Sequence, residues 1–255
     1  MSDQLLTRVD GDAFFLTLSR PEVGNCLSAA LVEDLHLGLD RFEQSSAKVV
    51  IFQGEGRHFC TGFDLHDLAD QSDADLALRF IRIEQLLARI WTADYPTIAV
   101  ANGRTVGAGA DLFAACGRRI AIEGSTFRFP GAEFGVILGI ARLTARMGSH
   151  ALGIVEAGRE IDAIDALRLG LVDHLADPDT SSDVLAREIC FSTRLETATL
   201  AQLRTALAGD GSSVDRDLAA LVRSVAKPGL KTRIETYRHR QLESARRAVS
   251  GIQLG

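Results

Sequence analysis

Two short apolar-rich runs, Leu5 to Val9 and Ala13 to Leu18, flank Asp10-Gly11 near the start of the chain. Asp and Gly tolerate the positive φ of a tight turn, so the pattern predicts a β-hairpin. The period then becomes helical. Leu31, Leu35, Leu39 and Phe42 recur along one face behind Ser28, a suitable N-cap. KVVIFQ (48–53) and PTIAVAN (96–102) are unbroken apolar runs that predict buried strands, the first ending at Gly54 and the second starting at Pro96. The helix-rich stretch between them reaches about Thr92, with Ala77, Phe80, Ile81, Glu84 and Leu87 mixed around it. RRIAIE (118–123) and STFRFP (125–130) are again strand-like, and beyond Leu138 the pattern is helical. IDAIDALRLGLVDHL (161–175) predicts a helix ending at Gly170, then a short strand. Residues 182–208, 213–226 and 229–249 predict three further helices. This order predicts an α/β fold with helices packed on sheet faces and a C-terminal helical appendage or oligomerisation element.

A chain of 255 residues with 46% apolar and 24% charged residues can bury a large core. Its net charge of −6 argues against a nucleic-acid partner. No run of about 18 apolar residues predicts a membrane span. MSDQLLTRVDGD has no apolar core of signal-peptide length, so a cytoplasmic location is expected. Cys26, Cys60, Cys116 and Cys190 are widely spaced and form no C-x-x-C pair. They read as reduced thiols rather than zinc ligands or a redox pair.

Two loops share one design. In VVIFQGEGRHFCTGFDL a strand leads to a turn at Gly62-Phe63, and in IAVANGRTVGAGADL a strand leads to Gly107-Ala108-Gly109 and a helix start. The glycines either simply let the chain turn, or they present free backbone N–H groups that converge on a developing oxyanion. Gly107-x-Gly109 does not extend to a dinucleotide fingerprint, since Leu112 holds the third glycine position. No G-x-S-x-G occurs, which argues against a nucleophile-elbow hydrolase. FRFPGAEFG (127–135) breaks a strand pattern at Pro130-Gly131 and offers one carboxylate, Glu133. That group is either an acid–base candidate or a solvated or ion-paired turn residue.

Together these segments resemble the enoyl-CoA hydratase/isomerase (crotonase) superfamily. SRPEVGNCLS (19–28) is similar to the family's N-P-x-x-x-N-A-L-S, and GEGRHFCTGFDL (54–65) to its G-x-G-x-x-F-C-A-G-A-D-L. ANGRTVGAGADLFAACG (101–117) and IDAIDALRLGLVDHL (161–175) match two further segments in order. The resemblance implies a crotonase-like ββα spiral core over 1–195. It also implies a C-terminal helical region, 196–255, serving assembly and pocket closure, and a homotrimer or a dimer of trimers. It further implies a coenzyme A thioester as substrate, with no permanently bound cofactor. The thioester carbonyl would sit between the N–H groups of Phe63 and Ala108. Phe63, Asp64, Leu65 and His66 would run along the nucleotide and pantetheine, with Gly107 and Ala108 also contacting the substrate and Asn25 and Cys26 flanking the nucleotide. Cys60 is expected to pack. Arg233, Arg240 and Arg247 lie at seven-residue spacing on the last helix, as a solvated face or as phosphate contacts.

The chain departs from the family at the acid–base pair. Family hydratases use two glutamates on one water. The first falls here at Asp111, one methylene shorter. The second falls at Gly131, and Glu133 lies two residues late. The P-G-x-G-G loop is replaced by LGIA at 138–141. Ordinary hydration should therefore be slow, and enolate-forming reactions such as isomerisation, decarboxylation, retro-aldol cleavage or ring chemistry fit better. The alternative is an acyl-CoA-binding protein without turnover, and the least favoured reading is a structural protein that binds no CoA.

Overall fold

A computed structural model describes residues 2–208 and 212–252. The hairpin strands β1 (Leu5–Asp10) and β2 (Ala13–Leu18) pair antiparallel, with Gly11 in the turn at φ 55°. Helix α1 (Ala29–Glu43) follows, and the Ser28 hydroxyl accepts from the Leu31 N–H at 3.0 Å, closing its first turn. Leu31, Leu35, Leu39 and Phe42 are all buried on its inner face. β3 (Val49–Gly54), α2 (Asp73–Trp91) and β4 (Thr97–Ala101) come next, and the last two of these begin at Ser72, which forms a capping box with Asp75, and just after Pro96.

From there the chain alternates between two sheets. β4, β5 (Arg104–Val106) and α3 (Ala108–Ala115) make one strand–strand–helix unit. β6 (Arg118–Ile122), β7 (Thr126–Arg128), a short 3-10 turn at Pro130–Phe134 and α4 (Ile140–Met147) make the next. α5 (His150–Ala157), β8 (Ile161–Asp162), α6 (Ala163–Arg168) and β9 (His174–Ala176) follow. The larger sheet has the order β1-β2-β3-β4-β6-β9, parallel from β2 onward, and the smaller has the order β5-β7-β8. A stacked ββα repeat of this kind is the expected spiral.

Two helices differ from the sequence reading. Ile161–Asp162 is not helical; it pairs antiparallel with β7, and Asp162 then caps a shorter α6 by accepting from the Asp165 N–H. The span 182–208 is divided into α7 (Ser181–Ser192) and α8 (Thr197–Ala208). At the break, both the N–H and the hydroxyl of Thr193 bond the Ile189 carbonyl, a side-chain contact that competes with helix continuation.

α9 (Ser212–Val225) and α10 (Leu230–Ile252) return to the core. Leu221, Val225, Leu230 and Ile234 pack with Leu76, Phe80 and Val136 in a second apolar cluster beside the main one. No helix among the described residues is long and apolar enough to cross a membrane.

Candidate active site

The two loops singled out by sequence meet in space. Cys60 bridges to Thr105, and the Cys60 carbonyl accepts the Val106 N–H at 2.9 Å. The approach is close enough to exclude side chains. A Cβ on Gly62 would lie 2.6 Å from the Val106 carbonyl and 3.5 Å from the Ala108 nitrogen. One on Gly109 would lie 2.3 Å from the Cys60 carbonyl oxygen. These two glycines are therefore fixed by contact between the loops.

The Phe63 N–H follows Gly62 directly, and the Ala108 N–H is the first of α3. Among the described residues neither donates to a protein acceptor, as expected for the first turn of a helix. Ala108 keeps a negative φ, because Gly107 before it takes the turn at φ 53°, so its methyl group does not disturb the N–H. The α3 dipole adds positive potential at the same place.

Both loops line one cleft of about 940 Å³, its open mouth included. Its walls are mostly apolar, with Phe80, Phe129, Ile137, Leu138, Leu143 and Val155 among the lining residues. α10 closes one side through Ile234 and Tyr237. The Phe63 ring stacks on Phe80 at 4.3 Å, and the Arg79 guanidinium lies 4.0 Å from the Phe63 centroid.

Asp111 is the one carboxyl among the cleft-lining residues. It is buried on α3 and accepts no hydrogen bond from the described residues. Burial pushes it well above the usual carboxylate range; nearby Arg142 opposes this, while Glu84 and Asp217 reinforce it.

Gly131 also lines the cleft, but a Cβ there would stand 2.9 Å from the Val136 carbonyl oxygen. The Val136 N–H donates to the Gly131 carbonyl at 2.9 Å, so the 131–136 turn closes over the space a side chain would need. Glu133 points elsewhere. It lies outside the cleft lining and its carboxylate pairs with Arg128 at 2.7 Å.

The nucleotide-side residues divide in two groups. Leu65 lines the cleft with Phe63 and Gly107. Asn25 is fully buried at φ 55°; its amide donates to the Glu55 and His58 carbonyls, and its oxygen accepts the Arg20 N–H. Its side chain ties the 19–28 loop to the 54–65 loop. Cys26 is buried, and burial with neighbouring Asp64 pushes its thiol to about 11. Burial pushes Cys60 to about 12, so both thiols are unreactive at neutral pH. Burial would raise Asp64, but the His66 N–H and the Arg20 guanidinium at 2.7 Å outweigh it and hold the group below its usual range. His66 is exposed, with its ring on Asp67, whose hydrogen bond raises it.

On α10, Arg233 is not a solvated cation awaiting a phosphate. It donates to the carbonyls of Phe134, Gly135, Ser224 and Lys227, stapling the cleft wall to the end of α9. Arg240 reaches the Glu133 carbonyl at 3.5 Å, and Arg247 is exposed.

The sequence reading missed the group behind Asp111. Arg142 of α4 is fully buried and bonds both oxygens of buried Glu84, at 2.8 and 2.5 Å. Asp217 of α9 lies 3.5 Å from the Arg142 Nη1 and accepts the Ala141 N–H at 2.8 Å, capping α4. The available signal was an acidic residue one position past Ile83, set among the buried Phe80, Ile83 and Leu87.

The Enoyl-CoA hydratase/isomerase family profile matches residues 12–219. A probable enoyl-CoA hydratase of Bacillus subtilis (strain 168) is 35% identical over 170 residues, 64% of this chain and 66% of that protein. The Enoyl-CoA hydratase domain-containing protein 3, mitochondrial, of Danio rerio is 30% identical over 203 residues, 76% of this chain and 70% of its own length. The matched stretches thus span about two thirds of these relatives. Among solved structures, a Bordetella parapertussis protein assigned as an enoyl-CoA hydratase/isomerase superposes with TM-score 0.88 at 42% identity, covering 92% of this chain and 98% of its own. With the profile spanning most of its length and the two-loop geometry in place, the chain belongs to the enoyl-CoA hydratase/isomerase family.

Proposed function

We propose that the protein acts on an acyl-CoA thioester by proton transfer at the α-carbon, with the thioester oxygen held by the Phe63 and Ala108 N–H groups and Asp111 as the single proton carrier. The observation that supports this reading most is the meeting of two N–H groups and one carboxyl in an otherwise apolar cleft. As a carboxylate, Asp111 takes the α-proton. The electron pair of the broken C–H bond moves into the thioester, and the two N–H groups stabilise the enolate oxygen. Returning the proton to the α- or γ-carbon completes an exchange or a double-bond shift. A raised pKa makes Asp111 a stronger base when ionised and suits it to both directions.

Hydration asks for a second group to orient water. Gly131 provides none, and Glu133 is engaged with Arg128. The same reading takes residues 196–255 as the closing and assembly region of a trimer or a dimer of trimers.

The test is incubation with enoyl-, β-keto-, β-hydroxy- and malonyl-type CoA thioesters in heavy water, read by mass spectrometry. Deuterium uptake or isomerisation without water addition is the expected result. Rapid hydration would overturn the assignment of Gly131. Tight CoA binding with no mass change across the panel would make the protein a carrier or sensor.

A further inference from the structure

Three charged side chains from three helices lie behind Asp111, and none of them lines the cleft. Glu84 comes from α2, Arg142 from α4 and Asp217 from α9; each is buried. Gly139, the N-cap of α4, marks where the two groups approach. A Cβ there would lie 2.8 Å from the Asp111 Oδ1 and 3.5 Å from the Arg142 Nη2. A guanidinium this near a buried carboxylate would ordinarily form an ion pair with it. Here both terminal nitrogens of Arg142 are held by Glu84, and Asp217 stands beside one of them. Asp111 accepts nothing, and the Arg142 Nε is buried without a partner.

We propose that Glu84 is a positioning residue: by occupying both ends of the Arg142 guanidinium, it keeps Arg142 from ion-pairing directly with Asp111 and so tunes the charge of the proton carrier in the cleft. The charge count supports this. One guanidinium serves three carboxyl groups, and the two with hydrogen bonds to its helix are Glu84 and Asp217. The third, Asp111 at the cleft, has no hydrogen-bonded cation, and its burial beside two acidic groups pushes it above the usual carboxylate range. The ionised Asp111 that takes the α-proton therefore becomes more populated as the pH rises. The inference rests on the proton-carrier reading for its kinetic consequence, but the charge state of Asp111 can be read without any substrate.

The experiment is a carbon-13 NMR titration of aspartate side-chain carboxyls in the full-length protein, with the Asp111 signal assigned by its loss in Asp111→Asn. Wild type should show an Asp111 midpoint above the ordinary carboxylate range. Glu84→Gln removes one negative neighbour and releases Arg142, so the Asp111 midpoint should fall by about 1 to 3 pH units. Glu84→Asp, which keeps the charge, should return it toward wild type. If Glu84→Gln does not fold, Asp217→Asn should move the midpoint in the same direction.

In the heavy-water assay the rising limb of the pH–exchange profile should shift with the midpoint. An Asp111 midpoint within the ordinary carboxylate range in wild type would overturn the proposal. So would a folded Glu84→Gln or Asp217→Asn protein with an unmoved midpoint. If the titration behaves as expected and no thioester exchanges its α-proton, the proton-carrier reading fails while the control of charge by Glu84 stands.

Discussion

Glu133 and Arg128 form an ion pair at 2.7 Å on the outside of the cleft wall, with Glu133 two residues past the glycine where a catalytic glutamate would be expected. The pair is part-buried, and the Arg128 guanidinium also donates to the Gly158 carbonyl and to Gln241. Glu133→Gln should change turnover by no more than about twofold. It should lower stability by no more than about 1 kcal/mol, as for a partly solvated pair. Steady-state kinetics and denaturant melts check both.

Gly131→Glu, which restores the family residue by identity, should not restore hydration. The new Cβ would press on the Val136 carbonyl oxygen at 2.9 Å and open the 131–136 turn. We expect a loss of about 1 to 3 kcal/mol, as for other overpacked sites, and no hydratase activity above wild type. Water addition to a short enoyl-CoA, followed by loss of enone absorbance, is the measurement.

Gly109→Ala should separate the two loops. Its Cβ would meet the Cys60 carbonyl oxygen at 2.3 Å and the Cys60 Sγ at 2.7 Å, neither of which can yield without moving the Phe63 loop. Loss of one aligned N–H costs about 100-fold or more in turnover. The α-proton exchange rate should fall by that factor while Asp111 stays in place.

Asp111 should make the protein less stable as pH rises. Its native pKa lies well above the ordinary 3.8. Below that value both states hold the proton and its contribution is fully present. Above it the unfolded chain releases the proton while the native state keeps it, so stability is lost until pH passes the native value. Asp111→Asn removes this slope. As pH rises from the ordinary carboxylate value toward the raised native one, the stability difference should therefore grow in favour of the variant, as read by urea melts of the two proteins side by side. The variant should bind CoA normally and exchange no α-protons.

Arg233→Ala should loosen the cleft wall rather than weaken phosphate binding. It removes hydrogen bonds to four carbonyls around Phe134 and α9. A stability loss of about 2 to 3 kcal/mol is expected, with CoA affinity falling no more than acyl-group affinity. Calorimetry with free CoA and with an acyl-CoA analogue separates the two.

Much of this molecule was legible along the chain because its signals are local. The Ser28 cap and the stripe from Leu31 to Phe42 sit within one helix, and KVVIFQ needs only its own apolar run to be a buried strand. Phe63, Ala108, Asp111 and Gly131 could be named in advance because each lies in a short segment of matching pattern, and all four line one cleft.

What sequence could not give was the direction in which a polar side chain faces. Asn25, Glu133 and Arg233 carry groups that could serve a ligand, and each is engaged inside the protein. Ile161–Asp162 reads as helix by its period and becomes a strand because β7 offers an open edge. The Glu84–Arg142 pair joins positions 58 residues apart, and Asp217 lies 75 beyond Arg142. Local pattern fixes which segments are helix, strand or glycine turn, since backbone propensity and hydrophobic period act over a few residues. Charge state at the site is set by which groups are buried together, and only the packing of α2, α3, α4 and α9 brings those four side chains to one place.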